Sequence, residues 1–481
     1  MIGRRLRSMF VDGEWRAAHS RAQIELIDPS TERWIAGAAD GDTHDVAAAA
    51  SAARAAAPDW GRTAPEERAA LLDALADAVD KRQDEIARLV TAQNGTVLSR
   101  SRRTNGTRPV ALYRHFADVA RSFHPERYDG EAQGIIRREP LGVVGIIVPW
   151  NAPQSLLANK IGPALAAGCT AVIKPAAETS LDALLLAQMA SAEGFPPGVI
   201  NVVTGGRRTG AALVDCNDVD MVSFTGSTSA GRQIAARCGH MLRPLLAELG
   251  GKSAAVLLDD ADLDVFAAKL IATCLPNTGQ VCYACTRIIA PRALFDDVVD
   301  VVTHVLSQAR VGDPLDPGVD FGPLVSEAQR RRVEQYIATA RADGATVAFG
   351  GDRPPDTTAG YYVQPTVLVD VDRSMPVFRE EIFGPVVVVV AHDGDDDAVT
   401  IANDSSYGLG GAVFSRDHGR AIEVARHTQT GGMSINGADR GASAPFYGYK
   451  DSGLGGVPGL EAHLAYKFIA DAANAKRNVR A

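Results

Sequence analysis

Two cysteines three residues apart, Cys282 and Cys285, stand behind the turn-forming run Asn277-Thr278-Gly279-Gln280 in a chain of 481 residues that has six cysteines. Three chemistries fit that arrangement. A Cys-x-x-Cys pair serves redox exchange or metal binding, but a zinc site wants a second pair or clustered histidines, and Cys169, Cys216, Cys238 and Cys274 are scattered singly. A cysteine is also a small hydrophobe that is commonly just buried. The third reading makes Cys282 a nucleophile, which requires an activating environment and an oxyanion stabiliser from elsewhere in the chain. Glu248, in Leu246-Ala-Glu-Leu-Gly-Gly-Lys252, is either a general base or a solvated surface charge. The two glycines after it allow close backbone approach to a ligand.

The chain that must position these groups is long enough for two or three domains. With 46% hydrophobic and 22% charged residues its composition is that of an ordinary globular protein. A formal charge of -9 gives no basic footprint for nucleic acid. No apolar run approaches the roughly 20 residues of a membrane helix. The start, Met1-Ile-Gly-Arg-Arg-Leu-Arg7, is basic but lacks the apolar segment of a secretory signal. Together with the scattered cysteines this points to the reducing cytoplasm.

Local patterns then place the elements. Phe10-Val-Asp-Gly-Glu-Trp15 and Asp28-Pro-Ser-Thr31 read as turns of a small hairpin. An alanine-rich helix is expected over 45–57. Thr63-Ala-Pro-Glu66 has the form of a capping box, followed by Leu71, Leu72, Leu75 and Val79 at helical spacing. A third helix is expected over 84–93, ended by Asn94-Gly95. Residues 122–140 suggest a projecting hairpin with turn residues Asp129-Gly130.

From Gly142 onward, strands at 143–148, 170–174, 199–203 and 221–224 alternate with helices at 155–167, 180–193 and 208–214. That alternation predicts a doubly wound parallel sheet, which binds ligands at the carboxyl ends of its strands. Those ends are Pro149-Trp150-Asn151, Lys174-Pro175, Thr204-Gly205-Gly206 and Thr225-Gly226-Ser227-Thr228. The G-x-G-x-x-G fingerprint is absent. The Gly226–Gly231 loop, opening a helix, suits a pyrophosphate or is a plain capping turn.

These pieces occur in the order found in aldehyde dehydrogenases. Phe10 to Trp15, Pro149-Trp150-Asn151, Lys174-Pro175, Gly194-Phe-Pro-Pro-Gly-Val-Ile-Asn201, Phe224-Thr-Gly-Ser-Thr228, Glu248-Leu-Gly-Gly-Lys252 and Gly279-Gln-Val-Cys282 are followed by Glu380-Glu-Ile-Phe-Gly-Pro385, the 403–409 segment and Pro445-Phe-Tyr-Gly-Tyr-Lys450. The chain resembles the aldehyde dehydrogenase superfamily over nearly its whole length. The resemblance implies Cys282 as nucleophile, Glu248 as general base and Asn151, with the Cys282 amide, as oxyanion donor. It implies that Val148, Trp150, Lys174, Gly206, Gly210, Thr225, Gly226, Ser227, Leu249, Gly250, Glu381 and Phe383 surround NAD, with NADP possible. A substrate tunnel of Ala152, Leu156, Asn159, Tyr283 and Phe446 is implied, with no metal.

The implied α/β fold has a Rossmann-like parallel-sheet cofactor domain (1–121 and 141–250) and an α/β catalytic domain (251–451). A small β oligomerisation element (122–140 and 452–481) completes it. The implied assembly is a homo-oligomer, dimer or tetramer, taking a small aldehyde and neither nucleic acid nor membrane.

Four departures from the family pattern bear on function. Ala177 stands where an acid often contacts the adenine ribose, with Glu178 one position later. Gly455-Gly456-Val457 replaces a glycine-arginine-glutamate, so Glu248 works alone or by another route. Ala152 and Asn159 replace aromatics, and Tyr283 follows the nucleophile. No arginine stands out as a carboxylate clamp, and only Arg287 and Arg440 stay open for that role. Cys285 is either packing or a reversible disulfide partner for Cys282. The alternatives to a hydrolytic dehydrogenase are a coenzyme A-acylating semialdehyde dehydrogenase, against which Glu248 argues, and a non-catalytic dinucleotide-binding protein of the same fold.

Overall fold

The computed structural model describes residues 8–355, 357–439, 441, 444–456 and 459–470. Arg440, Val457 and the basic segment 1–7 lie outside them, so those expectations have no structural counterpart.

An eight-stranded sheet runs in the order Glu14–Ala17, Ser8–Val11, Ile200–Val202, Thr170–Lys174, Val143–Ile147, Met221–Thr225, Leu245–Glu248, Gly453–Leu454. Its central strands are parallel. Val143–Ile147 and Thr170–Lys174 are buried at every residue, which is why they read as continuous apolar runs rather than alternating ones. Helices Pro153–Ala167, Leu181–Ala192, Arg207–Asp215 and Thr228–His240 form the crossovers, as the alternation predicts. Glu248 is the last residue of one strand and Asn151 follows another, so the carboxyl edge of this sheet carries two of the three expected chemical groups.

A second, seven-stranded sheet runs in the order Thr346–Phe349, Thr366–Val369, Val386–His392, Arg287–Pro291, Ala254–Leu257, Gly411–Phe414, Met433–Ile435. Cys282 lies in the loop leading into Arg287–Pro291. A third sheet pairs Leu464–Ala470 with Gly134–Pro140 and Glu126–Asp129, all antiparallel. The hairpin expected at 122–140 is therefore present, with a third strand from the far end of the chain. Tyr466 and Phe468 stand exposed on it.

Three local expectations change. The first hairpin is not independent: Phe10 pairs with Trp15 and also with Val202, making it the edge of the large sheet. Helix Thr43–Arg62 is longer than 45–57, because Asp42 and Asp45 form a reciprocal capping box and the chain continues past Pro58 to anchor buried Trp60. Thr63 is no N-cap; its hydroxyl donates to the Asp59 carbonyl at 3.1 Å and closes that helix, while Pro65–Lys81 starts on Ala64 without a side-chain cap.

One helical stretch has no counterpart in the sequence reading. Leu98–Ser101, the π-helical Arg102–Thr107 and Arg108–Arg121 run on continuously. The polar run from Ser99 to Arg108 carries no apolar period to announce it, and π-helical geometry recurs at functional sites.

Candidate active site

The turn before the nucleophile has three successive residues in the left-handed region, Asn277 (φ 53°), Thr278 (φ 58°) and Gly279 (φ 72°). Non-glycine residues there cost about 1–2 kcal/mol each, so the turn persists only because it is tied on several sides. The Asn277 amide donates to the Asn151 carbonyl at 3.3 Å, the Thr278 hydroxyl to the Gly322 carbonyl at 3.1 Å, and Val325 N–H to Gln280 Oε1 at 3.0 Å. A β-carbon on Gly279 would lie 2.0 Å from the Gly384 carbonyl oxygen. The thiol turn is thus pressed against the loop that carries Glu381 and Phe383.

Cys282 itself is half-buried. Burial pushes its thiol up to about 12, the Glu381 and Glu248 carboxylates add to that, and the Cys282 and Tyr283 amides pull the other way. The sulfur therefore rests as a protonated thiol. Asn151 is buried, and its Nδ2 donates to the Gln280 carbonyl at 3.0 Å. A side-chain amide has two N–H groups, so one remains for an oxyanion beside the thiol.

Glu248 is 5% exposed and neither carboxylate oxygen has a hydrogen-bond partner among the described residues. Burial raises its pKa, and the Lys160 ammonium opposes part of that rise. Lys160 is a charged neighbour of Glu248 that the sequence reading did not name. It is buried and donates to Ser223 Oγ and the Phe224 carbonyl, each at 3.1 Å. Its signal was the lone charged residue on the mostly apolar helix Pro153–Ala167.

The expected cofactor residues stand at the carboxyl ends of the parallel strands and on the 380–385 loop. Trp150 and Phe383 meet edge to face with ring centroids 5.4 Å apart. Phe383 is in the left-handed region (φ 62°), held by Gln329, whose amide donates to the Phe383 carbonyl at 2.9 Å. Glu381 accepts from Gly251 N–H at 3.0 Å, and burial lifts its carboxyl to about 7. Lys174 donates to the Gly205 carbonyl at 3.0 Å, and its ammonium is pushed down to about 8 by burial against the opposing pull of Glu178 and Asp40. Gly206 N–H donates to Asp40, while Ser227 caps helix Thr228–His240 by accepting from Ala230 N–H at 3.3 Å.

Several of these positions admit only glycine or packing residues. A β-carbon on Gly226 would fall 2.4 Å from the Phe224 ring, and one on Gly250 the same distance from Glu381. Gly210 faces the Lys174 stem. Val148, Thr225 and Leu249 are buried beneath them. This donor set fits a dinucleotide: a cation and a capped helix N-terminus for phosphate, aromatic rings for a nicotinamide, and a carboxylate for ribose hydroxyls. Glu178, exposed on the turn Ala177–Thr179, is a carboxylate whose charge is felt at Lys174.

On the other side of Glu248 lies a cavity of about 510 Å³ whose lining includes Leu156, Asn159, Lys160, Thr225, Glu248 and Phe446. Ala152 and Tyr283 are not among its lining residues, although the Tyr283 ring sits 6.4 Å from that of Phe446. Arg287, considered as a clamp from the sequence, is buried elsewhere and spends its guanidinium on the Lys252, Ile401 and Ala402 carbonyls. Cys285 is packed in the core of the seven-stranded sheet with Cys274 and Ile288. Among the described residues, no cluster of three or more metal-type ligands occurs and no helix is long and apolar enough to cross a membrane.

Two mostly parallel sheets carry Glu248, Asn151 and Cys282 on strand ends and loops, and Glu248 also lines the mixed cavity. The aldehyde dehydrogenase family model matches residues 15–469. Geranial dehydrogenase of Castellaniella defragrans is 43% identical, covering 95% of this chain and 97% of its own. A cysteine-to-alanine mutant of aldehyde dehydrogenase C from Pseudomonas syringae, solved with NAD+ and octanal, superposes with TM-score 0.95 at 36% identity, covering 98% of both chains. The Mycobacterium tuberculosis aldehyde dehydrogenase with NAD+ gives TM-score 0.94 at 40% identity, over 97% of this chain and 98% of that one. The chain belongs to the aldehyde dehydrogenase family, whose activity is oxidation of an aldehyde with a nicotinamide dinucleotide.

Proposed function

We propose that the protein oxidises an aldehyde to the carboxylic acid with Cys282 as nucleophile, Asn151 as oxyanion donor and Glu248 as the base that releases the product. The observation that carries this is the convergence of a braced thiol turn, an amide with one N–H to spare, and a buried carboxylate with both oxygens unpaired. The Cys282 thiol gives up its proton to water as its sulfur adds to the carbonyl carbon, and the new oxyanion takes hydrogen bonds from Asn151 and the Cys282 amide. A bound nicotinamide dinucleotide supplies the acceptor for the hydride that this adduct must lose to become a thioester. Glu248 then takes a proton from water as its oxygen attacks the thioester; the C–S bond breaks, that proton passes to the departing sulfur, restoring the thiol and the Glu248 carboxylate, and the acid leaves.

Trp150, Phe383 and Glu381 would hold the nicotinamide half of NAD, while Lys174, Gly206, Gly226 and Ser227 would hold its adenylate and phosphates. Val148, Gly210, Thr225, Leu249 and Gly250 would shape the cleft around them. Leu156, Asn159 and Phe446, with Ala152 and Tyr283 nearer the thiol, would surround the substrate. The octanal bound by the Pseudomonas syringae relative makes a medium-length aldehyde a natural first substrate. The exposed strand Leu464–Ala470 would pair copies of this chain into a dimer or tetramer, and the expected location is the cytoplasm.

Reduction of NAD by octanal tests the reaction. No reduction of NAD or NADP by any aldehyde, with the Cys282 thiol intact, would refute it. Turnover that requires coenzyme A would favour the acylating alternative instead.

A further inference from the structure

The cavity behind Glu248 is mixed in character. Phe116, Leu156, Phe446 and Leu460 give it an apolar body, and its charged lining groups are three cations and two carboxylates. Two of those cations are already engaged. Lys160 faces Glu248 electrostatically and donates to Ser223 and Phe224. Arg138 pairs with Glu461 at 2.7 Å, donates to the His124 carbonyl at 2.6 Å and lies over the Phe123 ring.

The third cation is Arg108, at the start of helix Arg108–Arg121. It is half-buried in the cavity wall and has no hydrogen bond or ion pair among the described residues. Its backbone is set by the π-helical turn that precedes it. Asn159, one helical step from Leu156, lines the same cavity as Glu248 and Arg108. A guanidinium that borders this cavity and has no partner among the described residues matches a carboxylate best, because it presents a planar fork of donors.

We infer that Arg108 is a specificity-determining residue which selects aldehydes with an apolar body and a distal carboxylate, and disfavours cationic aldehydes. This rests on the reaction proposed above and names the substrate class for that site. The aldehyde end lies toward Glu248 and Thr225, the hydrocarbon packs on Phe116, Leu156 and Phe446, and the distal carboxylate meets Arg108. A trimethylammonio group at the same place would meet an unneutralised like charge.

The test compares azelaic semialdehyde with nonanal, equal in length and differing at the far end, in the wild type, Arg108→Gln and Arg108→Lys. The ratio of kcat/KM for the semialdehyde over nonanal should fall about tenfold in Arg108→Gln, mainly through KM, the size of one charge-assisted hydrogen bond. Arg108→Lys should retain part of the preference. Calorimetry with the product azelate, against nonanoate, reads the same contact without turnover, and azelate affinity should drop about tenfold in Arg108→Gln. An unchanged ratio together with unchanged azelate affinity would overturn the role of Arg108, as would a wild-type preference for an ω-trimethylammonio aldehyde. Failure of every aldehyde to reduce NAD would strike the reaction itself, while azelate binding would still report on Arg108.

Discussion

Asn151 and Gln280 are joined by a hydrogen bond from the Asn151 amide to the Gln280 carbonyl at 3.0 Å, two residues before the nucleophile. A second bond, from the Asn277 amide back to the Asn151 carbonyl, closes the pair into a loop. Asn151 and the thiol turn are therefore one unit, although they come from different sheets. Preorganisation of this kind is what makes an oxyanion hole effective.

Asn151→Ala removes both the free N–H and the brace on Gln280. We expect kcat/KM to fall by about 10²–10³-fold, with the loss in kcat where hydride loss or thioester formation limits turnover. Steady-state rates with octanal check this. A variant that kept wild-type kcat would show that the amide is only structural.

The Cys282 thiol is held up to about 12 by burial and by the Glu381 and Glu248 carboxylates. In the ligand-free protein, alkylation of Cys282 by iodoacetamide should climb about tenfold per pH unit between pH ~7 and ~10, with no plateau. Glu381→Gln removes one of the two opposing charges and should speed alkylation at fixed pH. Peptide mass spectrometry reads the site, and a rate that levels off near neutrality would contradict the picture of a resting thiol.

How far the chain announced all this differs from place to place. The strands 143–147, 170–174 and 221–225 were legible because fully buried parallel strands are continuous apolar runs bounded by turns. The expectations for Cys282 and Glu248 came from short motifs whose glycines mark close approach, and that for Asn151 from the strand end Pro149-Trp150-Asn151. Arg108 was not legible, because it sits in a polar run made helical by tertiary contacts and π-helical geometry. Lys160 was hidden for the opposite reason: on an apolar helix it reads as packing, and only the sheet above it reveals its neighbours Ser223 and Glu248. Arg287 stayed open because a buried guanidinium satisfied by carbonyls has the same sequence appearance as a ligand clamp.

Glu248 links catalysis to stability. Its folded pKa is raised by burial, so its neutral form is the one the fold favours. The stability it contributes is complete below the ordinary carboxylate range and is lost as pH rises through the raised folded value. Glu248→Gln should consequently melt close to the wild type in acid and above it in alkali. The same variant should lose about 10²–10⁴-fold in thioester hydrolysis, so that an acylated Cys282 accumulates in intact-protein mass spectra. Undiminished acid formation would remove Glu248 from the base role.

The thiol turn offers the sharpest structural test. At Gly279 an alanine would meet left-handed backbone (φ 72°) and a β-carbon 2.0 Å from the Gly384 carbonyl. At Gly194 the backbone is equally left-handed (φ 88°), but nothing lies within 4 Å of the added carbon. Gly194→Ala should then cost only the backbone strain, about 1 kcal/mol, with activity intact. Gly279→Ala should add a steric cost that pushes the thiol turn away from the loop bearing Glu381 and Phe383, lowering both Tm and kcat. Thermal melts and octanal oxidation on the two variants separate these effects: equal losses in both would mean that strain alone matters, and that the contact between Gly279 and Gly384 does not hold the nucleophile against that loop.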